Sequence, residues 1–364
     1  MAAGLDSSVS LLGQISSATI LLAALITLLI GTLVRRYGYR RLYVAGTLAM
    51  ALGSTIMAVA PNVAVVLVAA LLLSFATATV LPVALAIAAT ELSPTARRRV
   101  MSYQIACIFA AVAVGLPACV FLAQALSWRG TFAVLAAVAV LLLPAVFGLV
   151  PVGSHDPSAR FHLPTAVQSY RELLRDRSLA SMFGFQILYV VVVFGTGAYL
   201  SALIIARGFG ADAVGAALAV VGVAFILSSV LSAEVLGKLR VDLRLVVLGA
   251  ALSFCVSRAV IYILPLPLPV LVGLLAAGSL VDGVMAVAFR TLVASYDVKD
   301  RALSMVFFAA CDNVGQAVGG VVAGALLAAG GYAAIGLLVL AISLLGSWLP
   351  LASRALRRAE VASE

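Results

Sequence analysis

Two aspartates stand where an acidic side chain is costly. Asp282 interrupts the apolar run Val270–Phe289, and Asp312 interrupts Ala302–Ala329. Removal from water disfavours the charged form of a carboxyl, so a group in such a place can exchange a proton with its surroundings near neutral pH. Asp312 lies ten residues into its run, or roughly 15 Å along a helix at 1.5 Å per residue. Asp282 lies seven residues from the end of its own, also at middle depth. Gln316 follows Asp312 by one helical turn on the same face, and Asn313 is adjacent. These four, with Gln186, Tyr189, Thr196 and Gln14 below, are the candidates for proton coupling or substrate contact. The plainer use of a mid-run carboxyl is a hydrogen bond to a neighbouring helix that only fixes packing.

Neutral polar residues also gather on helix faces. Gln186, Tyr189 and Thr196 fall within about 80° of one another at roughly 100° per residue. Ser10, Gln14 and Ser17 form a second such set, and Ser74 with Thr77 a third. Each is either the hydrogen-bonding wall of a cavity or a seam where helices meet through small polar side chains. Gly315/Gly319 and Gly320/Gly324 are small-xxx-small pairs, which favour close packing over ligand binding. Arg258, six residues from the outer end of its run, is expected to snorkel to the surface or to form a structural ion pair.

Other chemistries find no support. Cys107, Cys119, Cys255 and Cys311 lie in apolar runs without paired or metal-ligand spacing and read as small buried hydrophobes. His155 and His162 share one polar segment and have no partners at ligand spacing, so no metal, cofactor or catalytic residue is expected. No nucleotide-binding loop of the Walker type is present. Two mid-run aspartates raise the alternative of an intramembrane aspartyl protease. That chemistry uses Gly-x-Gly-Asp, whereas Ser279-Leu280-Val281 precedes Asp282 and Ala310-Cys311 precedes Asp312.

The elements that must position these residues are membrane spans. Hydrophobic residues make up 64% of the 364 and charged residues 10%, against roughly 45–50% and 25% in soluble domains. Eleven apolar runs reach the roughly 20 residues that cross about 30 Å of hydrocarbon. They divide five and six around the polar segment 151–178. Residues 1–150 therefore read as one bundle, 179–351 as a second and 352–364 as a tail. Within the linker, Pro164 through Arg175 reads as an amphipathic helix at the interface. With the loop after the first run placed in the cytoplasm, 20 Lys/Arg fall on that side and 2 on the other. The positive-inside rule then puts the C-terminus in the cytoplasm and the N-terminus outside. The +9 net charge follows this distribution, so nucleic acid is not an expected partner. The halves echo one another, since Gly31-Thr32-Leu33 matches Gly237-Lys238-Leu239 and Ser102 matches Ser304, at offsets of 206 and 202 residues. Parallel repeats of this kind place a substrate site between them near the midplane.

The loop Gly31-Thr32-Leu33-Val34-Arg35-Arg36-Tyr37-Gly38-Tyr39-Arg40-Arg41 resembles the signature of the major facilitator superfamily. Gly31, Gly38, Arg40 and Arg41 match that gate motif, and Arg35 replaces its acid. Gly115-Leu116-Pro117, with the corner Ser127-Trp128-Arg129, is similar to the kinked helix of drug:proton antiporters and arabinose-type efflux permeases. Pro82-Val83-Ala84 through Glu91-Leu92-Ser93-Pro94 and Arg97 looks like the family's fourth helix and its exit, without the intramembrane arginine of many antiporters. The resemblance implies an all-α fold of two pseudo-symmetric bundles with the family's first helix missing. It implies proton-coupled efflux of a drug- or sugar-like molecule by alternating access, in the inner membrane of a bacterium. The implied partners are that substrate, protons and the lipid bilayer, with a monomer as the working unit. The alternatives are a proton-coupled or facilitative importer and a truncated, non-transporting relic or receptor. The even six-plus-six pattern predicts a further apolar helix encoded upstream of Met1, or a second chain that fills its place.

Overall fold

The computed structural model describes residues 9–152, 163–238, 243–296 and 301–346, and all regular structure in them is helical. The histidines, the leading residues 1–8, the loop residues 239–242 and 297–300, and residues 347–364 lie outside the described residues. The helices are α1 (Val9–Tyr37), α2 (Tyr39–Val59), α3 (Val63–Glu91), α4 (Pro94–Ala110) and α5 (Leu116–Leu149). After the linker helix α6 (Leu163–Arg175) come α7 (Arg177–Ala206), α8 (Ala211–Lys238), α9 (Leu243–Ile263), α10 (Leu268–Ser295) and α11 (Arg301–Gly346).

Nine of these hold an apolar stretch long enough to cross a membrane. Two contain a break. α5 is interrupted at Ser127 (φ 73°), and α11 at Gly330 and Gly331 (φ 70° at the latter). A π turn, Ala111–Gly115, joins α4 to the first part of α5. Counted with these breaks and this junction, the described residues form eleven apolar rods, five before α6 and six after it. The connections expected as loops at Ser127 and Gly330-Gly331 are single-residue or two-residue turns in otherwise continuous helix. Gly331 suits such a turn because positive φ carries no Cβ penalty there.

Local sequence explains the junctions. Gly38 separates α1 from α2 with φ 75° and ψ 171°, a conformation open to glycine. Ser93 caps α4, accepting from the Ala96 N–H at 3.4 Å, with Pro94 in the first turn. Pro117 has no N–H for the carbonyl four residues back, and the helix widens to π just before it. Asp176 caps α7, accepting from the Ser178 and Leu179 N–H groups at 2.8 and 3.4 Å. Its other oxygen accepts from the Tyr296 hydroxyl at 3.0 Å, which ties the end of α10 to the start of α7.

The chain forms two compact units. Unit 1 comprises Met1–Glu91, Leu116–Glu172 and Asp300–Val314, and unit 2 comprises Leu92–Gly115, Leu173–Lys299 and Gly315–Glu364. Unit 1 therefore takes the start of α11 from the second half of the sequence, and unit 2 takes all of α4 with the π turn from the first. In unit 1, Ile30, Val34, Leu42, Val83, Ala86 and Val306 share one core. In unit 2, Leu203, Ile204, Ile261, Tyr262 and Leu271 belong to one core. The α4 portion of unit 2 is held to α8 by the Ser102 hydroxyl, which donates to the Ser229 carbonyl at 2.6 Å.

Small residues set the tightest approaches. A Cβ at Gly315 would stand 2.6 Å from Val190 Cβ, and one at Gly319 2.7 Å from the Val191 carbonyl oxygen, so α11 rides against α7 at backbone distance. Gly324 abuts the Tyr199 hydroxyl, whereas Gly320 has open space. The cysteines divide. Cys255 and Cys311 are buried as expected, but Cys107 is exposed and Cys119 half-buried. An apolar run in a membrane protein need not face protein, because lipid is an equally good neighbour for a thiol.

Candidate functional site

Unit 2 brings an acid, a phenol and a guanidinium into one layer. Asp282 sits on α10 with 5% of its surface exposed. The hydroxyl of Tyr189, buried on α7, donates to its Oδ1. The Tyr189 ring lies 5.5 Å from the Phe254 ring on α9, and 6.0 Å from Phe185 one turn back on α7. The Arg258 guanidinium carbon also stands 4.9 Å from the Phe254 ring centre, within cation–π range. Its charge is within electrostatic reach of Asp282. Close packing of α9 on α10 makes this possible, since a Cβ at Gly278 would meet Ser257 Oγ at 3.0 Å, and Ser257 donates to the Leu274 carbonyl at 2.9 Å.

The expected snorkelling of Arg258 is corrected. A helical side chain points back over the turn that precedes it, and on α9 that turn carries Phe254, so the guanidinium folds inward. It is 5% exposed, and its Nε and one terminal nitrogen have no hydrogen-bond partner among the described residues. A buried guanidinium with free donors is expensive, and a nearby carboxylate offsets that cost.

The expected face of Gln186, Tyr189 and Thr196 resolves into separate roles. All three are buried. Tyr189 reaches Asp282. Thr196 instead returns its hydroxyl to the Val192 carbonyl at 2.7 Å, and its own carbonyl accepts from Tyr262. Thr196 is thus a helix seam.

Asp312 and Asn313 belong to unit 1 and Gln316, half-buried, to unit 2. Asp312 and Asn313 are both buried. Asn313 donates its amide to Thr27 Oγ1 at 3.3 Å, and Thr27 donates to the Ala23 carbonyl at 2.7 Å, with the Ala78 carbonyl at 3.4 Å. Thr27 was not among the expected site residues; it is one of several hydroxyls in its apolar run, and nothing in the local pattern singles it out. Gln14 lies on α1, and Gln14 and Pro117 have side chains outside the described ones. Ser74 and Thr77 bond to carbonyls of their own helix at 2.8 and 2.9 Å.

The loop motif is structural at atomic detail. Gly31 is overlaid by Leu303 and Tyr170, and Arg40 donates to the Val150 carbonyl at 2.7 Å, anchoring the end of α5. Arg41 is exposed. In the corner after α5's break, Arg129 lies 4.5 Å over the Trp128 ring and donates to the Ala60 carbonyl at 2.9 Å, closing the end of α2. No three His, Cys, Asp or Glu among the described residues are placed to hold a metal ion.

A family model described as Major Facilitator Superfamily matches residues 1–255. A relative, the uncharacterized MFS-type transporter YwfA of Bacillus subtilis (strain 168), is 24% identical over 322 residues, 85% of this chain and 75% of that protein. Among solved structures, the human organic anion transporter MFSD10 (TETRAN) matches with a TM-score of 0.79 at 21% identity, covering 93% of this chain and 83% of that one.

Proposed function

Because this chain belongs to the major facilitator superfamily and is a multi-pass membrane transporter rather than an enzyme, we propose that it exports a small organic molecule in exchange for protons by alternating access. The observation that carries this reading is the Tyr189–Asp282 hydrogen bond in mid-span, with Arg258 folded toward it. An acid there has two ways to be stabilised. As a carboxylate it is held by the phenol and by the guanidinium; as a neutral acid it no longer needs the cation. Uptake or loss of one proton therefore changes the electrostatic balance among α7, α9 and α10, the kind of local event that biases two conformations. Asp312 and Asn313 in unit 1 are further candidates for substrate or proton contact, and so, each within unit 2, are Gln186 and Gln316.

The test is transport of a compound panel in inverted membrane vesicles with and without a proton gradient. The expected result is gradient-driven accumulation that Asp282→Asn abolishes while substrate exchange continues, since an amide keeps the size but cannot titrate. Normal uphill transport by both Asp282→Asn and Asp312→Asn refutes the coupling role of either acid. Accumulation in right-side-out vesicles under an inward proton gradient makes the protein an importer.

The proposed orientation, with the C-terminus and α6 in the cytoplasm, follows from the 20:2 division of Lys/Arg between the two sides. On a cysteine-free background, Glu172→Cys is expected to react with an impermeant maleimide only from the cytoplasmic side. Reaction from outside reverses the orientation.

A further inference from the structure

The linker helix α6 does more than lie along the membrane surface. Ser169 and Tyr170 point from it onto the end of α1. The Tyr170 hydroxyl donates to the Leu28 carbonyl at 2.5 Å, and Arg35 donates to Ser169 Oγ at 3.3 Å. Tyr170 is 9% exposed, and its ring lies 5.2 Å from Phe307 near the start of α11. The notch that admits it is Gly31. A Cβ there would stand 2.8 Å from the Tyr170 hydroxyl oxygen and 2.5 Å from Leu303 Cδ1, so any larger residue forces one or the other out. Val306 completes the seam, fully buried in the core shared with Ile30 and Val34. Val167 and Leu174 on the same helix are exposed, so the buried contact of α6 is concentrated at Tyr170 and Leu173.

We propose that α6 is a latch: Tyr170, seated in the Gly31 notch, pins the end of α1 to the start of α11, and Ser169 holds Arg35 beside it. One side chain thereby bridges two rods that are distant in sequence. Because the main latching bond is phenol to carbonyl, its strength is independent of salt and of pH below phenol ionisation. The phenol-to-carbonyl bond is neutral and made by one side chain, so the latch can open on the timescale of a transport cycle. It deepens the transporter reading above, because the rod ends must part when the cytoplasmic side opens.

Hydrogen–deuterium exchange of the full chain in lipid nanodiscs tests the latch without any substrate, so its outcome is separable from that of the transport assays. Tyr170→Phe keeps the ring and removes the hydroxyl. It is expected to raise exchange in 28–37 and 301–308 by about fivefold, the effect of losing one neutral hydrogen bond. Tyr170→Ala is expected to raise it further, with α2 and α9 unchanged. Ser169→Ala is expected to affect only 31–37, and less. Unchanged exchange in both Tyr170 variants overturns the latch. A rise throughout the chain overturns it as well, since Tyr170 is then an ordinary folding residue.

Discussion

The buried polar groups of the two units are satisfied differently. At Thr27 and Asn313 in unit 1, an amide donates to a hydroxyl and the hydroxyl donates to a backbone carbonyl, all neutral. Asp312 is buried beside them, but none of the described arginines of unit 1 is buried. Around Asp282 in unit 2, a phenol donates to a carboxyl, and the same layer holds a buried guanidinium over Phe254 with two nitrogens that have no hydrogen-bond partner among the described residues. A neutral, satisfied network in a low-dielectric interior is stiff and has one favoured arrangement. A network with an acid, a cation and spare donors has at least two, distinguished by one proton. The difference supports the proposal that Asp282 in unit 2, rather than the Thr27–Asn313 bond in unit 1, is where charge changes during function.

The largest expected effect breaks the charge balance. Asp282→Asn leaves Arg258 buried without the nearby carboxylate, and the loss of stability is expected to approach about 3–5 kcal/mol, the cost of breaking a direct buried pair. The double variant Asp282→Asn/Arg258→Met is expected to recover most of that loss in thermal unfolding in detergent while still failing to accumulate substrate against a gradient. Additive destabilisation in the double variant separates the two residues and removes the comparison.

A smaller effect sharpens it through matched deletions of one hydroxyl. Tyr189→Phe removes a bond to an ionisable group and is expected to cost about 1.5–3 kcal/mol of stabilisation, whereas Thr27→Val removes a neutral bond worth roughly 1 kcal/mol. Initial rates of gradient-driven transport should fall about tenfold or more in Tyr189→Phe and stay near wild type in Thr27→Val. Equal losses would show that the two networks have the same role.

Much of this was open to a reader of the amino acids alone. Lipid as solvent demands long apolar helices whose backbone bonds close internally, so span number, the split around the linker and the amphipathic character of α6 follow from composition and spacing. The two aspartates were conspicuous for the same reason, because an acid in such a run is costly unless a neighbouring helix or a function holds it. Partners were another matter. Tyr189 and Asp282 are 93 positions apart, Thr27 and Asn313 are 286 apart, and no local pattern encodes which face of one rod meets which face of another. Arg258 shows the limit most clearly. Its distance from the end of its helix suggested escape to the surface or a structural ion pair without saying which, and rotation about α9, set by the glycine and serine that pack α9 against α10, turned the side chain over Phe254 and toward an acid. Identity and depth are properties of the chain, but azimuth is decided by packing against neighbours, and the chemistry of this protein depends on azimuth.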